Sequence, residues 1–280
     1  MKVSEKMGKF DGILICSDLD GTLFDEHHQI SEENIKAIEY FKGEGGYFTF
    51  ITGRMHYYVG DVLEIVRPNA PVGCANGAAV YDYVNKKYIR SKEIGHEGLE
   101  LISLVGEKFP EIGINVNTYE KVVFCKDNEA MQYIREITGL PDIRIEDQGI
   151  EGGILKIVLG HKDLSEIERM EPLLDRFPSL SGTLGFVQPE AAIYEVQGEG
   201  VHKGIALPIL AEYLKIDPKK IIAIGDNDND IGMLKEAAMG VAVANASAGA
   251  KAAADHITVT NEEHAIAKII SDLESGAILI

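Results

Sequence analysis

The sequence predicts an α/β protein with a Rossmann-like, three-layer core around a parallel sheet and an α+β domain inserted into that core. Three observations predict it. Apolar runs at 13–17, 47–51 and 71–75 alternate with helical patterns, the same alternation returns after about residue 200, and the stretch between has strands of partly alternating polarity. Fully apolar strands between helices are typical of parallel sheets covered on both faces, whereas alternating strands are typical of open antiparallel sheets.

The first part of the chain is predicted to run β-α-β-α-β. Its first helix is predicted from Ser31 to Lys42, because Ser31 can cap the helix while Glu32 and Glu33 face the helix dipole. Glycines 43, 45 and 46 end that helix, and a second helix is predicted over 57–66.

The remaining elements follow from the same patterns. The last part is predicted to hold strands at 220–224 and 240–244 and helices at 202–214, 228–236 and about 262–273. The middle part is predicted to be a mainly antiparallel sheet with helices on one side, with strands at 115–118, 121–125, 154–159 and 191–196 and helices at 97–109, 129–138 and 163–177.

These patterns predict a discontinuous core made of residues 1–83 and 198–280, interrupted by an inserted domain of residues 84–197. A length of 280 residues lies where single cores begin to divide. The pattern of polar and apolar residues alone also allows two consecutive domains, residues 1 to about 140 and the rest. The motifs below favour the insertion.

Charge and composition exclude several classes of partner. The chain has 45 acidic residues against 27 Lys and Arg, a net charge of −18, and no basic run that could hold a nucleic acid. No stretch approaches the roughly 18 uninterrupted apolar residues of a membrane span. The three cysteines lie far apart without a metal or disulfide spacing, which is typical of a reducing compartment, so a cytoplasmic location is expected.

Two acidic clusters directly follow predicted strands. Asp18 and Asp20 follow 13–17, and a second cluster around Asp226 and Asp230 follows 220–224. In open α/β sheets ligands bind at the carboxyl ends of strands. If the two strands are neighbours, their carboxylates converge and repel, and a hard divalent cation such as Mg²⁺ resolves the conflict. An EF-hand is excluded, because its required Gly and Glu are replaced by Ile231 and Ala237.

Two further motifs indicate a phosphate site. Thr52-Gly53-Arg54 follows 47–51 and supplies a hydroxyl, an open backbone N–H and a guanidinium at a helix entrance. Lys203 opens the predicted helix 202–214, and the neighbouring motifs favour a catalytic role for it over a solvated lysine. The glycines before it do not fit the dinucleotide spacing, and no Walker A sequence occurs.

Other hydrolytic machinery is missing from the sequence. There is no Gly-x-Ser-x-Gly elbow, no reactive cysteine signature and no His-Glu-x-x-His zinc helix. His27, His28 and His202 lie near the candidate loops, but without ligand spacing they are expected to be surface residues.

The ordered motifs resemble the haloacid dehalogenase-like superfamily. They are Asp18-x-Asp20-Gly-Thr-Leu, Thr52-Gly-Arg, Lys203-Gly and Gly225-Asp-x-x-Asn229-Asp230. Within that superfamily, Cys74-Ala-Asn76-Gly77-Ala and the long insert are similar to the Cof-type phosphatases. The resemblance implies a Rossmann-like core with a cap inserted after the third strand.

The resemblance also implies a role for each motif residue. Asp18 would be the nucleophile that becomes an aspartyl phosphate, and Asp20 the general acid and base, with its side chain facing away from the metal. Mg²⁺ would be bound by the Asp18 side chain, the Asp20 carbonyl and Asp226, with Asp230 in or behind that shell. The phosphoryl oxygens would be held by Thr52, Gly53, Lys203 and Asn229, with Arg54 as a further candidate.

The sequence therefore predicts a Mg²⁺-dependent phosphomonoesterase for small phosphorylated metabolites, with sugar phosphates preferred over nucleotides and cofactor phosphates. The alternatives are a phosphosugar mutase of the same superfamily and a non-catalytic protein that binds a phosphorylated metabolite. The protein is expected to be a monomer or a small homo-oligomer. Because its net charge repels anions, substrate approach is expected to depend on Mg²⁺, Arg54 and Lys203.

Overall fold

The computed structural model describes residues 8–139, 141–145, 149–187 and 191–280. The described chain forms two compact units. One unit combines the described residues of 1–90 with 202–280, and the other comprises those of 91–201.

In chain order, the strands are β1 (Leu14–Ser17), β2 (Tyr47–Phe50), β3 (Val72–Cys74), β4 (Ala79–Asp82), β5 (Lys87–Ser91), β6 (Gly113–Thr118), β7 (Val122–Lys126), β8 (Ile154–His161), β9 (Leu180–Val187), β10 (Ala191–Gly198), β11 (Ile221–Gly225), β12 (Met239–Ala242) and β13 (His256–Ile257).

The α-helices are α1 (Glu32–Gly43), α2 (Gly60–Val66), α3 (His96–Lys108), α4 (Glu129–Thr138), α5 (Leu164–Met170), α6 (Ala206–Leu214), α7 (Ile231–Glu236), α8 (Ala248–Ala253) and α9 (Ala265–Ser275). Across the described part of the chain, none of these helices has both the length and the apolar character that crossing a bilayer requires.

A five-stranded parallel sheet in the order β13-β12-β11-β1-β2 forms the centre of the first unit. All four residues of β1 are buried, because the strand is apolar and has neighbours on both sides. Ser17 at the end of β1 pairs with Ile224 of β11. The predicted α/β class with a parallel sheet is confirmed, and the two strands that precede the acidic clusters are neighbours.

Helix α1 begins as its sequence predicts. The Ser31 hydroxyl accepts a hydrogen bond from the Asn34 N–H at 3.2 Å, and Glu32 and Glu33 occupy the first turn. The buried Asn34 side chain in turn accepts from the Ala267 N–H at 3.0 Å, which ties α1 to α9.

The third apolar run joins the parallel sheet at one point only. Strand β3 meets the parallel sheet through a single bridge, Ile51 to Gly73, and otherwise pairs antiparallel with β4 in a small sheet of order β3-β4-β5. The predicted third strand is therefore present and parallel to its neighbour at that bridge, but the loop after Cys74 turns the chain straight back, so β3 pairs mainly with β4. Strands β4 and β5 were not predicted. Their turn is closed by the Asp82 carboxylate, which accepts from two backbone N–H groups.

The second unit contains an antiparallel sheet in the order β7-β6-β8-β10-β9. One face of this sheet packs an apolar cluster with α3 and α5 that includes Leu101, Val105, Ile114, Val116, Ile157, Ile167 and Met170. Strand β9 was not predicted, since Gly182 and Gly185 interrupt its strand pattern.

Helix α4 departs from the expected one-sided arrangement. A Cβ atom added at Gly113 or Gly160 would lie 2.6 or 2.7 Å from the Met131 side chain of α4. These glycines point away from the α3 and α5 cluster, so α4 packs on the opposite face of the sheet. The two glycines make room for the helix there.

Two glycines of the first unit differ in how closely neighbouring atoms pack against them, and they provide a matched test of that packing. At Gly240 a Cβ would lie 2.2 Å from the Leu234 carbonyl oxygen, whereas at Gly43 it would meet nothing within 4 Å. We expect Gly240→Ala to lower the free energy of unfolding by about 2 kcal/mol or more through overpacking. Gly43→Ala, at the end of a helix, should raise it by about 0.5 kcal/mol. Urea denaturation measures both, and equal effects of the two substitutions would contradict the packing described.

Candidate active site

Asp18 occupies a fixed, buried position at the carboxyl end of β1. Its backbone N–H donates to the Ile224 carbonyl at 2.8 Å, which extends the pairing with β11 past the end of the strand. The Ser17 hydroxyl donates to the Asp18 carbonyl at 2.6 Å. With 5 % of its surface exposed, Asp18 is a carboxylate largely removed from water.

The ammonium group of Lys203 lies between two buried carboxylates. Lys203 begins a short 3₁₀ helix before α6 and is 1 % exposed. Its Nζ donates to Asp18 Oδ1 and to Asp230 Oδ1, both at 2.6 Å. A charge-assisted bond to each carboxylate offsets the desolvation of this lysine.

Asp230 engages both of its oxygens with the protein itself. Oδ1 accepts from Lys203, and Oδ2 accepts from the backbone N–H groups of Asp226 at 3.0 Å and Asn227 at 2.9 Å. This contact is half of a capping box that closes the turn after β11. Asp230 therefore holds the loop that carries Asp226 and also orients the lysine.

Asp226 presents its carboxylate to the loop after β1. Its Oδ1 accepts from the Thr22 hydroxyl at 2.8 Å. A Cβ at Gly21, where φ is +80°, would lie 2.5 Å from Asp226 Oδ2, so this close approach requires a glycine. Asp18, Asp226 and Asp230 each offer an oxygen, and these three oxygens lie within 4.8 Å of one another.

The charges in this cluster do not balance. The cluster contains three carboxylates and one ammonium, so the fully ionised group carries two negative charges in excess. Burial raises the pKa of Asp18 well above its usual range, and the neighbouring carboxylates raise it further, while Lys203 acts in the opposite sense. Burial and the charge of Asp230 likewise raise the pKa of Asp226 to about 6. Burial alone would lower the pKa of Lys203, but Asp18 and Asp230 raise it above its usual value.

These residues fit a divalent cation. A doubly charged ion would neutralise the excess charge and remove the repulsion that raises both carboxyl pKa values. Carboxylate oxygens are the ligands that hard cations prefer. Because both oxygens of Asp230 are already bonded, Asp18 and Asp226 are the side chains best placed to bind such an ion directly.

Asp20 contacts different groups from Asp18. Its carboxylate accepts two hydrogen bonds from the Arg54 guanidinium, from Nε at 3.0 Å and from Nη2 at 2.6 Å. The exposed ring of His28 lies 3.5 Å from Asp20 Oδ1. Arg54, a candidate phosphate ligand from the sequence, here orients Asp20, and His28 is a neighbour that sequence reasoning left at the surface.

The loop after β2 brings Thr52 and Gly53 to the same edge of the sheet. Thr52 is 1 % exposed, and its N–H donates to the Gly73 carbonyl at 3.0 Å. Its hydroxyl accepts from the Arg54 N–H at 3.1 Å. Asn229 lies on the 3₁₀ helix Asp228–Asp230, directly before the Asp230 that binds Lys203. Its Nδ2 donates to Asn76 Oδ1 at 3.4 Å.

Three supporting residues carried no role in the sequence analysis. Thr22 binds Asp226, Asn76 binds Asn229, and Asn245 donates to the Gly21 carbonyl at 2.8 Å. Thr22 and Asn76 stand inside the motifs that carry the family resemblance, which is a signal for both. Asn245 lies more than 220 residues from its partner, so no local pattern indicates it.

Two histidines near the site are held by their own neighbours. His202 Nε2 lies 3.4 Å from Glu236 Oε1. His56, just after Arg54, stacks on Tyr81 with ring centroids 4.0 Å apart, and the Tyr88 hydroxyl lies 2.8 Å from its Nδ1. The Tyr83 hydroxyl donates to the His56 carbonyl at 2.5 Å. These contacts fix the segment that follows Thr52 and Arg54.

Comparison with known proteins identifies the family of this chain. The model of the haloacid dehalogenase-like hydrolases matches residues 15–270. The chain therefore belongs to the haloacid dehalogenase-like hydrolase family.

Individual relatives cover almost the whole chain. The chain is 30 % identical to the Bacillus subtilis 5-amino-6-(5-phospho-D-ribitylamino)uracil phosphatase YcsE, over 92 % of this chain and 94 % of that protein. It is 28 % identical to the B. subtilis phosphatase YwpJ, over 93 % and 99 % of the two chains. The crystal structure of TM0651 from Thermotoga maritima superposes with a TM-score of 0.77 at 26 % identity, covering 92 % of this chain and 96 % of that one. The protein is a hydrolase of the phosphatase class.

The half-buried ring of His56 predicts a pH-dependent stability. Burial lowers the pKa of His56 to about 4, from an ordinary value near 6.5. Between these values the unfolded chain binds a proton that the folded chain does not. The stabilising contribution of neutral His56 to the free energy of unfolding is therefore fully present above about pH 6.5 and is lost as the pH falls toward 4. We expect His56→Gln to flatten the fall in the free energy of unfolding between pH 7 and pH 5, measured by urea denaturation. The exposed His27→Gln serves as control, and an unchanged slope in His56→Gln would contradict the prediction.

Proposed function

We propose that this protein is a Mg²⁺-dependent phosphomonoesterase that hydrolyses small phosphorylated metabolites through an aspartyl-phosphate intermediate on Asp18. The observation that carries the proposal is the buried Asp18–Lys203–Asp230 group beside Asp226, with two negative charges in excess. A divalent cation together with a phosphoryl group would suit such a site, because the cation would neutralise the excess charge of the carboxylates and that of the phosphoryl oxygens.

In the first step, an Asp18 oxygen attacks phosphorus while the bond from phosphorus to the ester oxygen breaks. Asp20 gives its proton to the departing alkoxide. Lys203, with Thr52, Gly53 and Asn229, neutralises or hydrogen-bonds the phosphoryl oxygens. Asp18, Asp226 and the Asp20 carbonyl would hold a divalent cation, with Asp230 supporting them, and that cation would supply positive charge to the phosphoryl oxygens.

In the second step, Asp20 takes a proton from water as that water attacks phosphorus, and the bond from Asp18 to phosphorus breaks. Phosphate leaves and Asp18 is restored as a carboxylate. The division of roles is supported by the contacts of the two residues: Asp18 is bonded to Lys203, whereas Asp20 is held by Arg54. One carboxylate thus serves as nucleophile and the other exchanges protons.

We propose phosphorylated sugars or polyols as the substrate class. YcsE, which is 30 % identical along most of its length, and YitU, at 26 %, are both named for the phosphatase reaction on 5-amino-6-(5-phospho-D-ribitylamino)uracil. That compound joins a phosphorylated five-carbon polyol to a pyrimidine, so its leaving group is rich in hydroxyl groups and carries no phosphate of its own.

We further propose that the unit of residues 91–201, close to the segment 84–197 predicted from the sequence, determines substrate specificity. The face of its sheet opposite the apolar cluster carries a polar row. Asn117 of β6 is directly opposite Lys156 of β8, Lys156 pairs with Glu195 of β10, and Gln197 lies two residues further along β10 on the same face. Asn117, Lys156 and Gln197 are each less than a tenth exposed. Burying amide, ammonium and carboxylate groups costs free energy of folding, which favours a functional role for them. Such groups can form hydrogen bonds with a neutral, hydroxyl-rich ligand.

Replacement of Asp18 tests the chemistry. We expect Asp18→Asn to lower turnover of p-nitrophenyl phosphate by more than about a thousandfold, equal to about 4 kcal/mol, since the nucleophile is removed. The thermal unfolding profile should keep its cooperative shape. Excess chelator should abolish the activity of the parent enzyme, and added Mg²⁺ should restore it.

Asp217→Asn is a matched control, because Asp217 precedes the opposite end of β11 and caps only Lys219. Full activity in Asp18→Asn or in excess chelator would contradict the mechanism. Transfer of the phosphoryl group to a sugar hydroxyl, with no phosphate released into water, would identify a mutase.

Replacement of Lys156 tests the specificity role. We expect Lys156→Met to raise KM for the best metabolite substrate about tenfold, the equivalent of one hydrogen bond to a charged group. The constants for p-nitrophenyl phosphate, which has no hydroxyl groups on its leaving group, should change less than about threefold. Lys162→Met removes an exposed lysine of the same unit, paired with Glu129, and should alter neither. Equal losses on both substrates in Lys156→Met would contradict the specificity role.

A further inference from the structure

The loop that joins β3 to β4 has an unusual backbone. Three consecutive residues have positive φ angles: Ala75 at +48°, Asn76 at +52° and Gly77 at +89°. Side chains other than glycine rarely adopt this left-handed conformation, although asparagine tolerates it better than most. Ala75 is completely buried and Asn76 is 5 % exposed, so the surrounding structure maintains a strained turn.

The strained turn is bonded to the loop that carries Thr52. The Ala75 N–H donates to the Arg54 carbonyl and the Asn76 N–H to the Thr52 carbonyl, both at 2.9 Å. A Cβ at Gly53 would lie 2.9 Å from Asn76 Oδ1, so the two loops are in close contact. The turn therefore determines where the backbone of the Thr52 loop lies.

The same turn reaches two further segments of the site. Asn76 Oδ1 accepts from Asn229 Nδ2, and a Cβ at Gly77 would lie 2.5 Å from the carbonyl oxygen of His202, the residue before Lys203. One short turn thus contacts the loops of Thr52, Asn229 and Lys203, which come from three distant parts of the sequence. Strained backbone maintained at such a junction is typical of functional sites.

The contact between Asn76 and Asn229 has a chemical consequence. A side-chain amide has one oxygen that accepts and one nitrogen with two hydrogens. With one hydrogen directed at Asn76 Oδ1, Asn229 keeps Nδ2 on that side and has the second hydrogen available to a phosphoryl oxygen. The opposite orientation would set the Asn229 oxygen against Asn76 Oδ1 and present a repulsive atom to an anion. Asn229 Oδ1 is buried without a hydrogen-bond partner among the described residues, so its orientation does not come from Oδ1.

We propose that Asn76 is a positioning residue of the phosphate site, which orients the Asn229 amide as a donor and holds the Thr52 loop against it. This inference rests on the proposed phosphatase function and adds a residue to it. Asn76 itself acts through Asn229 and Thr52 and need not touch the substrate.

Asn76→Gly separates the side chain from the backbone. Glycine adopts the left-handed conformation without strain and keeps the N–H that binds Thr52, so the melting temperature should stay within a few degrees of the parent. We expect kcat/KM for p-nitrophenyl phosphate to fall about tenfold. The dissociation constant of inorganic phosphate, measured by calorimetry in the presence of Mg²⁺, should rise by a similar factor.

A double-mutant cycle with Asn229→Ala identifies the route of the effect. If Asn76 acts through Asn229, Asn76→Gly should produce little further loss in the Asn229→Ala background. Asn69→Ala is the control, because Asn69 makes two hydrogen bonds to backbone near the start of β2, at the opposite end of that strand. It should lower stability without changing phosphate affinity.

Several results would overturn the proposal. Parental kcat/KM and phosphate affinity in Asn76→Gly would do so, and so would losses that add in the double variant. A parent that hydrolyses no phosphate ester contradicts the proposed function instead, and phosphate affinity in the parent and Asn76→Gly still decides the role of Asn76.

Discussion

The buried contact of Lys203 with Asp18 and Asp230 is the interaction on which the rest of the site depends. Removing an ammonium and two carboxylates from water costs several kcal/mol per ion, and only short, well-aligned contacts offset this cost. Both contacts are 2.6 Å long. They join the end of β1, the start of the segment leading to α6 and the turn after β11, so three distant pieces of sequence are held in one arrangement by charge.

This arrangement is anchored to the sheet beneath it by hydrogen bonds. Asp18 continues the pairing of β1 with β11, and Asp230 closes the turn after β11 by accepting two backbone N–H groups. Asp226, on that turn, then meets the loop after β1 at Gly21 and Thr22. The excess negative charge is thereby fixed in place in the folded protein, and this preorganisation is what a site for a divalent cation and a phosphoryl group requires.

The structure also changes the interpretation of the net charge of −18. Arg54 and Lys203 were expected to attract anionic substrates, but Lys203 is almost fully buried between carboxylates and Arg54 is bonded to Asp20. Neither is an unpaired surface charge. Under the proposed function, attraction of a phosphate ester to this acidic protein depends more strongly on a bound cation than the sequence indicates, and it should weaken with salt. Arg54 instead orients the carboxylate that exchanges protons in the proposed mechanism.

The sequence by itself determined the α/β class, most helices and strands, and the positions of Asp18, Asp226 and Thr52 after strands. These features are local: apolar runs, capping residues and turn residues act within a few positions of one another. The sequence missed β4, β5 and β9, although each pairs with a strand next to it in the chain, because β4 follows a strained turn and glycines interrupt the pattern of β9. It also missed the roles of Asn76 and Asn245. Only the tertiary structure decided that Arg54 binds Asp20, that Asp230 has both oxygens occupied, and that the turn at Asn76 reaches three loops. The contacts of Arg54, of Asn76 and of Asp230 with Lys203 join residues tens to hundreds of positions apart, and only the order of strands in the sheet brings them together, whereas the N–H groups that bind Asp230 Oδ2 are local.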